Sequence, residues 1–165
     1  MRVSPCGFAA ETIDEAVYMA NEVTKVTHNH PEGMKGAEAT AVAIFMAMHN
    51  CIMPEIKEVL DTYYPVDFKL DDIRDEYDFD VSCQGTMPVA LAAFYESTSF
   101  EDAIRNAISI GGDSDTIAAI TGAIAEAYYG VPKDIRKTGI SYLYPDELEI
   151  FNAFEEKYPG KEVSE

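Results

Sequence analysis

An alanine-rich stretch from Ala37 to Cys51 is the feature that most constrains how this chain folds. Alanine is the strongest helix former, and its small side chain lets a second helix approach closely. The larger apolar residues of the stretch, Ile44, Phe45 and Met48, add apolar surface to it. The sequence therefore predicts a helix that is buried on most of its sides.

Helix signals continue along the rest of the chain. Thr12 is placed to cap a helix that runs to about Val26, and Pro54 suits the first turn of a helix that ends at Leu60. Further helices are predicted from Thr86 to Ser97 with Pro88 in the first turn, after a cap at Ser99, from Asp115 to Tyr129, and from Asp146 to Lys157. Alternating runs of Val, Ile and Thr bounded by turns are absent, so the sequence predicts an all-α, multi-helix bundle in a single domain over residues 1–165.

Acidic residues dominate the charge of the chain. Thirty acidic and twelve basic residues give a formal net charge of -18 at pH 7, which repels phosphate backbones and anionic lipid headgroups. Nucleic acid and membrane surfaces are therefore not expected partners. The stretch from Asp67 to Asp80 has seven acidic residues in fourteen and predicts an exposed connection with room for one short helix.

The cysteines and the start of the chain indicate a cytoplasmic protein. Cys6, Cys51 and Cys83 are odd in number and widely spaced, which favours neither a disulfide framework nor a thiolate zinc site. The chain does not open on a signal-peptide pattern and has no apolar run long enough to span a bilayer. Reduced thiols in the cytoplasm fit this pattern.

The strongest local motif is Gly111-Gly112-Asp113-Ser114-Asp115-Thr116, in which a glycine turn enters a helix. Asp113 and Asp115 are two residues apart, so in a turn their carboxylates can face one point. A hard divalent cation such as Mg²⁺, Ca²⁺ or Mn²⁺ would relieve their repulsion, and Thr116 could add a hydroxyl oxygen. The alternative is helix capping, because aspartates near a helix start are favoured by free backbone N–H groups without any metal.

A second polar motif, from Thr27 to Gly33, places His28 and His30 between two helices. A zinc site would need a third ligand, and the motif offers none nearby, whereas a neutral imidazole also donates to phosphate or ribose oxygens. Contact with such a ligand is one interpretation, and hydrogen bonding to backbone at the helix ends is the other. His49 lies in the apolar second helix, which predicts a core histidine with satisfied hydrogen bonds.

Four segments, taken in order, resemble the ADP-ribosylglycohydrolase family, which includes dinitrogenase-reductase activating glycohydrolases and ADP-ribosyl-acceptor hydrolases. They are Met1–Pro5, Thr27-His28 with Pro31 and Gly36-Ala37, Gly85–Leu91, and Gly111–Thr116 with Gly122 and Gly130–Pro132. The resemblance implies an orthogonal bundle of helices that binds two divalent cations, usually Mg²⁺ and otherwise Mn²⁺. These cations would lie beside the ribose of an ADP-ribosyl group whose bond to a protein side chain is hydrolysed.

The resemblance also implies roles for particular residues. Asp113, Asp115 and Thr116 match metal ligands of the family. The residues expected to contact ADP-ribose are Arg2, His28 and Gly112.

Only the C-terminal part of the family pattern is matched, so the resemblance implies a truncated form of the fold. Family members carry an N-terminal segment with a threonine-aspartate-aspartate metal motif, an asparagine-glycine loop and an acidic catalytic residue. We therefore expect activity to need that segment, a complementing N-terminal chain or a homo-oligomer. The alternative is a catalytically inactive protein that binds ADP-ribose or serves a structural or interaction role, and the negative charge is compatible with each of these.

Overall fold

The computed structural model of the chain describes residues 1–161 and 163, and within them it contains ten helices and no strand. The helices are α1 Ser4–Ala9, α2 Ile13–Thr24, α3 Pro31–Met48, α4 Met53–Leu60, α5 Leu70–Ile73, α6 Cys83–Tyr95, α7 Phe100–Ser109, α8 Ser114–Tyr129, α9 Lys133–Ile140 and α10 Pro145–Lys157. The predicted all-α class is confirmed. No helix of the described residues combines the length and the apolar character that crossing a bilayer requires.

Helix α3 is the centre of the bundle and packs against α1, α2 and α8. Every residue from Ala39 to Ala47 is buried, as the alanine-rich sequence predicts. The helix begins at Pro31, six residues before the predicted start at Ala37. Proline suits the first turn of a helix, and the ring Nδ1 of His30 accepts a hydrogen bond from the backbone N–H of Glu32 at 3.2 Å.

Helices α6 and α8 form the second part of the core. They pack on each other and both contact α3, and the buried hydroxyl of Thr121 donates to the carbonyl of Ala90 at 2.9 Å. Pro88 lies inside α6 rather than in its first turn, because the helix begins three residues earlier than predicted. The Ser82 hydroxyl accepts from the backbone N–H of Gly85 at 3.1 Å, and this cap fixes the earlier start. The backbone hydrogen bond that Pro88 cannot make is offset by burial of the residues after it.

Local capping signals were predicted correctly elsewhere. The Thr12 hydroxyl accepts from the N–H of Glu15, and the Ser99 hydroxyl accepts from the N–H of Asp102, both at 3.1 Å. Two helices were not predicted, α1 and α9. Helix α1 has only six residues, and Gly7 lets it press onto α3, since a Cβ there would lie 2.6 Å from the Ala41 carbonyl oxygen.

Helices α9 and α10 end the described chain and contain no buried residue. Neither packs extensively on the helices before it. Arg136 of α9 pairs with Glu126 of α8 and with Glu155 of α10, and its guanidinium lies over the Phe151 ring. Ion pairs and partly exposed rings therefore hold this end of the molecule.

Candidate functional site

A pocket of about 400 Å³ opens where the chain start, the α2–α3 turn and the first turns of α6 and α8 meet. Its polar lining comes from segments that are far apart in sequence: Arg2, Thr24, His28, Thr40, Ser82, Cys83, Thr86, Asp113 and Thr116. Four of the six predicted site residues, Arg2, His28, Asp113 and Thr116, are among them. Asp115 and Gly112 do not line the pocket, although both belong to the turn that carries Asp113.

The turn before α8 reverses the chain through two glycines in the left-handed region, with φ of 76° at Gly111 and 61° at Gly112. Residues with a side chain rarely adopt this conformation, so the glycines set the path into α8. Asp113 follows as the N-cap residue, yet its carboxylate makes no capping hydrogen bond to the helix backbone. Capping therefore does not occupy the Asp113 side chain, which lines the pocket instead.

The Asp115 carboxyl lies beside that of Asp113 at the edge of the pocket. A hydrogen bond with the Asp113 carboxyl, followed by bonds from the backbone N–H groups of Thr116 and of Asp115 itself, lowers the pKa of Asp115. Asp115 thus does what the capping interpretation expects, while Asp113 and Thr116 do not. The three oxygen-bearing side chains remain on one turn, and two of them face the pocket.

Two carboxylates and a hydroxyl are hard oxygen donors of the kind that Mg²⁺, Ca²⁺ and Mn²⁺ prefer. Among residues 1–161 and 163, no three His, Cys, Asp or Glu side chains come close enough to bind a metal ion. The donor set of Asp113, Asp115 and Thr116 therefore fits a divalent cation in chemical type. It is too small to fill a coordination shell, so other ligands would have to complete it.

Arg2 ties the start of the chain to the turn between α2 and α3. Its Nη2 atom donates to the Val23 carbonyl at 3.1 Å and to the Thr27 hydroxyl oxygen. The same Thr27 oxygen lies 2.7 Å from Nδ1 of His28. This chain of contacts holds the exposed His28 ring at the pocket wall.

The three histidines have different positions. His28 lines the pocket, whereas His30 caps α3, so each interpretation of the Thr27–Gly33 motif describes one of its two histidines. The prediction of a core position for His49 is wrong, because α3 ends at Met48 and leaves His49 exposed at its C-cap. Its hydrogen bonding is satisfied as predicted, with Nδ1 2.8 Å from the Phe45 carbonyl oxygen.

The floor of the pocket is apolar, and its hydroxyls bond to backbone. The Thr40 hydroxyl donates to the Gly36 carbonyl at 2.8 Å, and the Thr86 hydroxyl donates to the Asp80 carbonyl at 3.1 Å. Burial raises the pKa of the Cys83 thiol, which makes it a poor nucleophile. Groups that remain available to a ligand therefore lie at the mouth of the pocket. Thr86 belongs to a segment that resembles the family, but nothing in the sequence marked Thr40 or Cys83 as pocket residues.

The acidic connection between α4 and α6 is fastened to the turn before α8. Arg74 Nη1 donates to both the carbonyl and the hydroxyl of Ser109, at 2.9 and 2.7 Å. The Tyr77 ring lies against Gly112, since a Cβ on that glycine would be 2.6 Å from Tyr77 Cε1. The sequence predicted this connection as exposed, and most of its residues are. Its contacts nevertheless set one wall of the site, which is information that an acidic composition does not carry.

Comparison with known proteins gives three relatives and one solved structure. An "Uncharacterized protein" of Archaeoglobus fulgidus is 31% identical over 144 residues, which cover 77% of this chain and 47% of the relative. ADP-ribosylarginine hydrolase Tri1 of Pseudomonas putida is 23% identical over 141 residues, covering 79% of this chain and 38% of the relative. Tri1 of Serratia proteamaculans is 43% identical over 51 residues, 29% of this chain and 14% of the relative.

The solved structure is an ADP-ribosylglycohydrolase-related protein complex, with a TM-score of 0.68 at 22% identity. The match covers 93% of this chain and 57% of that chain, and it supports a shared fold. The chain spans less than half the length of the curated relatives it matches. The sequence model of the family described as ADP-ribosylglycohydrolase matches residues 1–159, and the chain therefore belongs to the ADP-ribosylglycohydrolase family.

Proposed function

We propose that this chain supplies the part of an ADP-ribosyl hydrolase site that holds a divalent cation and ADP-ribose. The complete assembly would remove ADP-ribose from a modified protein side chain. One observation carries this proposal: Arg2, His28, Asp113 and Thr116, distant in sequence, line a single pocket. Family membership over residues 1–159 supports the same chemistry.

Asp113, Asp115 and Thr116 are the proposed cation ligands, and Mg²⁺ is the proposed cation, with Mn²⁺ as its substitute. Asp113 is the principal ligand because its carboxylate lines the pocket and makes no capping bond. A bound divalent cation would supply Lewis-acid polarisation of a ribose oxygen or of a water molecule. The chain itself contributes the oxygen donors and the fixed turn that presents them.

Arg2 and His28 are the proposed contacts to ADP-ribose. A guanidinium carries five N–H donors and suits phosphate oxygens, and the two bonds of Arg2 Nη2 leave other donors available. Arg2 can only donate to the Thr27 oxygen, so a consistent arrangement has the Thr27 hydroxyl donating to Nδ1 of His28. The proton of a neutral imidazole then lies on Nε2, which donates to a ribose or phosphate oxygen. Gly112, the third proposed contact, gives the turn its left-handed conformation.

Hydrolysis is proposed to need groups beyond these residues. The relatives are more than twice the length of this chain, and the cation donors fall short of a full shell. A preceding segment of a longer polypeptide, a complementing chain or a second copy would supply the remaining ligands and the catalytic acidic residue. The free thiols of Cys6, Cys51 and Cys83 support the cytoplasm as the place of action. ADP-ribosylarginine is the linkage to test first, because two relatives are named as hydrolases of it.

Calorimetric titration of the 165-residue chain with ADP-ribose, with and without MgCl₂, tests the binding part of the proposal. We expect binding that strengthens with Mg²⁺ and is weakened by Asp113→Asn. Asp146→Asn, which removes an exposed carboxylate in the first turn of α10, is the matched control and is expected to bind as the unsubstituted chain does. Absence of heat at millimolar ADP-ribose in both conditions would overturn the proposal.

The need for additional groups has its own test. The chain alone, incubated with arginine-ADP-ribosylated protein and MgCl₂, is expected to release no ADP-ribose. Release above the level given by the Asp113→Asn chain would show that these residues suffice, and the proposed incompleteness would be wrong.

A further inference from the structure

Tyr77 has a buried polar group that the proposed function does not use. Its hydroxyl is shielded from solvent and has no hydrogen-bond partner among the described residues. An unpartnered buried hydroxyl typically costs about 1–3 kcal/mol, so such a group calls for an explanation. Two carboxylates lie within electrostatic reach: after burial, first Asp80 and then Asp113 raise the pKa of Tyr77.

Of these two carboxylates, only Asp113 is available as an acceptor. Asp80 is engaged at the start of α6, where its carboxylate accepts from the backbone N–H of Ser82 at 2.7 Å. Hydrogen bonds from Ser82 lower the pKa of Asp80 and keep it ionised in that position. Asp113 makes no capping bond, and it directly follows Gly112, on which the Tyr77 ring rests.

The position of Tyr77 relative to the turn is fixed from two sides. Its ring fills the space where a side chain at Gly112 would lie, and three residues earlier Arg74 holds the same segment to Ser109. The hydroxyl is thus carried on a support that contacts the cation turn directly. A carboxylate that binds a metal commonly receives a hydrogen bond from a neighbouring side chain, which orients it.

We infer that Tyr77 is a positioning residue for the cation site: its buried hydroxyl donates to the Asp113 carboxylate when a divalent cation binds, and so orients that ligand. This inference rests on the proposed function, because it assigns Asp113 as the principal ligand. It adds a residue outside the glycine-aspartate motif and outside the pocket lining. Tyr77 touches neither cation nor substrate, and it acts through Asp113.

Mn²⁺ binding to the intact chain, followed by the electron paramagnetic resonance signal of free Mn²⁺, tests the inference without any activity assay. Because the chain carries a net charge of -18, titrations are made at physiological ionic strength, and Asp113→Asn defines binding to the rest of the acidic surface. Tyr77→Phe removes only the hydroxyl and keeps the ring on Gly112. We expect this variant to bind Mn²⁺ about tenfold more weakly than the unsubstituted chain.

Tyr95→Phe is the matched control. Its hydroxyl is also buried without a partner, but it lies at the opposite end of α6, beside Lys57 and Asp61. We expect Tyr95→Phe to leave Mn²⁺ affinity unchanged and Tyr77→Phe to keep the melting temperature. A Tyr77→Phe chain that binds Mn²⁺ as tightly as the unsubstituted chain would overturn the role of Tyr77 alone. If Asp113→Asn binds as tightly as the unsubstituted chain, the cation site fails as well, and the proposed function fails with it.

Discussion

Helices α6 and α10 both have thirteen residues, but they are stabilised in different ways. Helix α6 buries nearly all residues from Thr86 to Phe94, whereas α10 buries none. Apolar burial scales with the area removed from water, while exposed or half-exposed ion pairs contribute little. The pocket is therefore built on the part of the molecule that resists opening, and α9 and α10 form a part that can open locally without loss of the core.

The largest expected difference between the two regions comes from one phenylalanine in each. Phe94→Ala removes a side chain that is fully buried and lies edge-on to Tyr128, with ring centroids 5.4 Å apart. We expect it to lower the free energy of unfolding by about 3–5 kcal/mol. Phe154→Ala, in α10, is the matched change and is expected to cost about 1 kcal/mol or less, because that ring is only partly buried. Urea denaturation measures both, and equal losses would show that α10 belongs to the same cooperative core.

A smaller and local effect is expected at Arg136. Arg136→Gln removes the pairs with Glu126 and Glu155, all three side chains being about a third exposed. We expect amide hydrogen exchange in α9 and α10 to speed up about fivefold, which corresponds to about 1 kcal/mol, with little change in α3 and α6. Arg105→Gln breaks an exposed pair with Glu101 inside α7 and serves as control. Uniform acceleration across the chain would contradict the separation of the two regions.

The smallest expected effect depends on pH and concerns Glu126, where α8 meets the C-terminal helices. Burial raises its pKa above the ordinary value, Arg136 opposes this rise, and Glu155 adds to it. The folded state therefore favours the protonated carboxyl. This contribution to stability is fully present below the unfolded-state pKa, and it is lost as pH rises through the folded-state pKa.

Glu126→Gln removes that titration. We expect the stability of the variant relative to the unsubstituted chain to improve by a few tenths of a kcal/mol between about pH 4 and pH 7, as measured by urea denaturation. Glu149→Gln replaces an exposed carboxylate of α10 and controls for the loss of one charge. A difference that stays constant with pH, or that falls as pH rises, would assign the wrong direction to Glu126.

The parts of the fold that the sequence predicted correctly depend on neighbours in the chain. The caps at Thr12 and Ser99 bond to backbone three residues away, and the burial of α3 follows from its own composition. The errors arose where a less usual local group decided the outcome. The ring of His30 caps α3, and the strong Ser82 cap moves the start of α6 so that Pro88 falls inside the helix.

The candidate site divides along the same line. Spacing alone left Asp113 and Asp115 open to both metal binding and capping, and the structure shows that their side chains differ in this respect. Resemblance to the family pointed to Arg2, His28 and Thr116, which the pocket brings together with Asp113. Tyr77 could not be found from sequence, because its relation to Gly112 exists only once the acidic connection folds back on the turn.

The place of Met1 in the pocket lining has a practical consequence. Any polypeptide joined ahead of Met1 begins its path at the mouth of the cavity, and the bond between Arg2 and Val23 fixes the direction of departure. A purification tag fused at that end would compete for the space in which ADP-ribose is proposed to bind. A short linker to a complementing segment would, by the same geometry, deliver its side chains there at high local concentration.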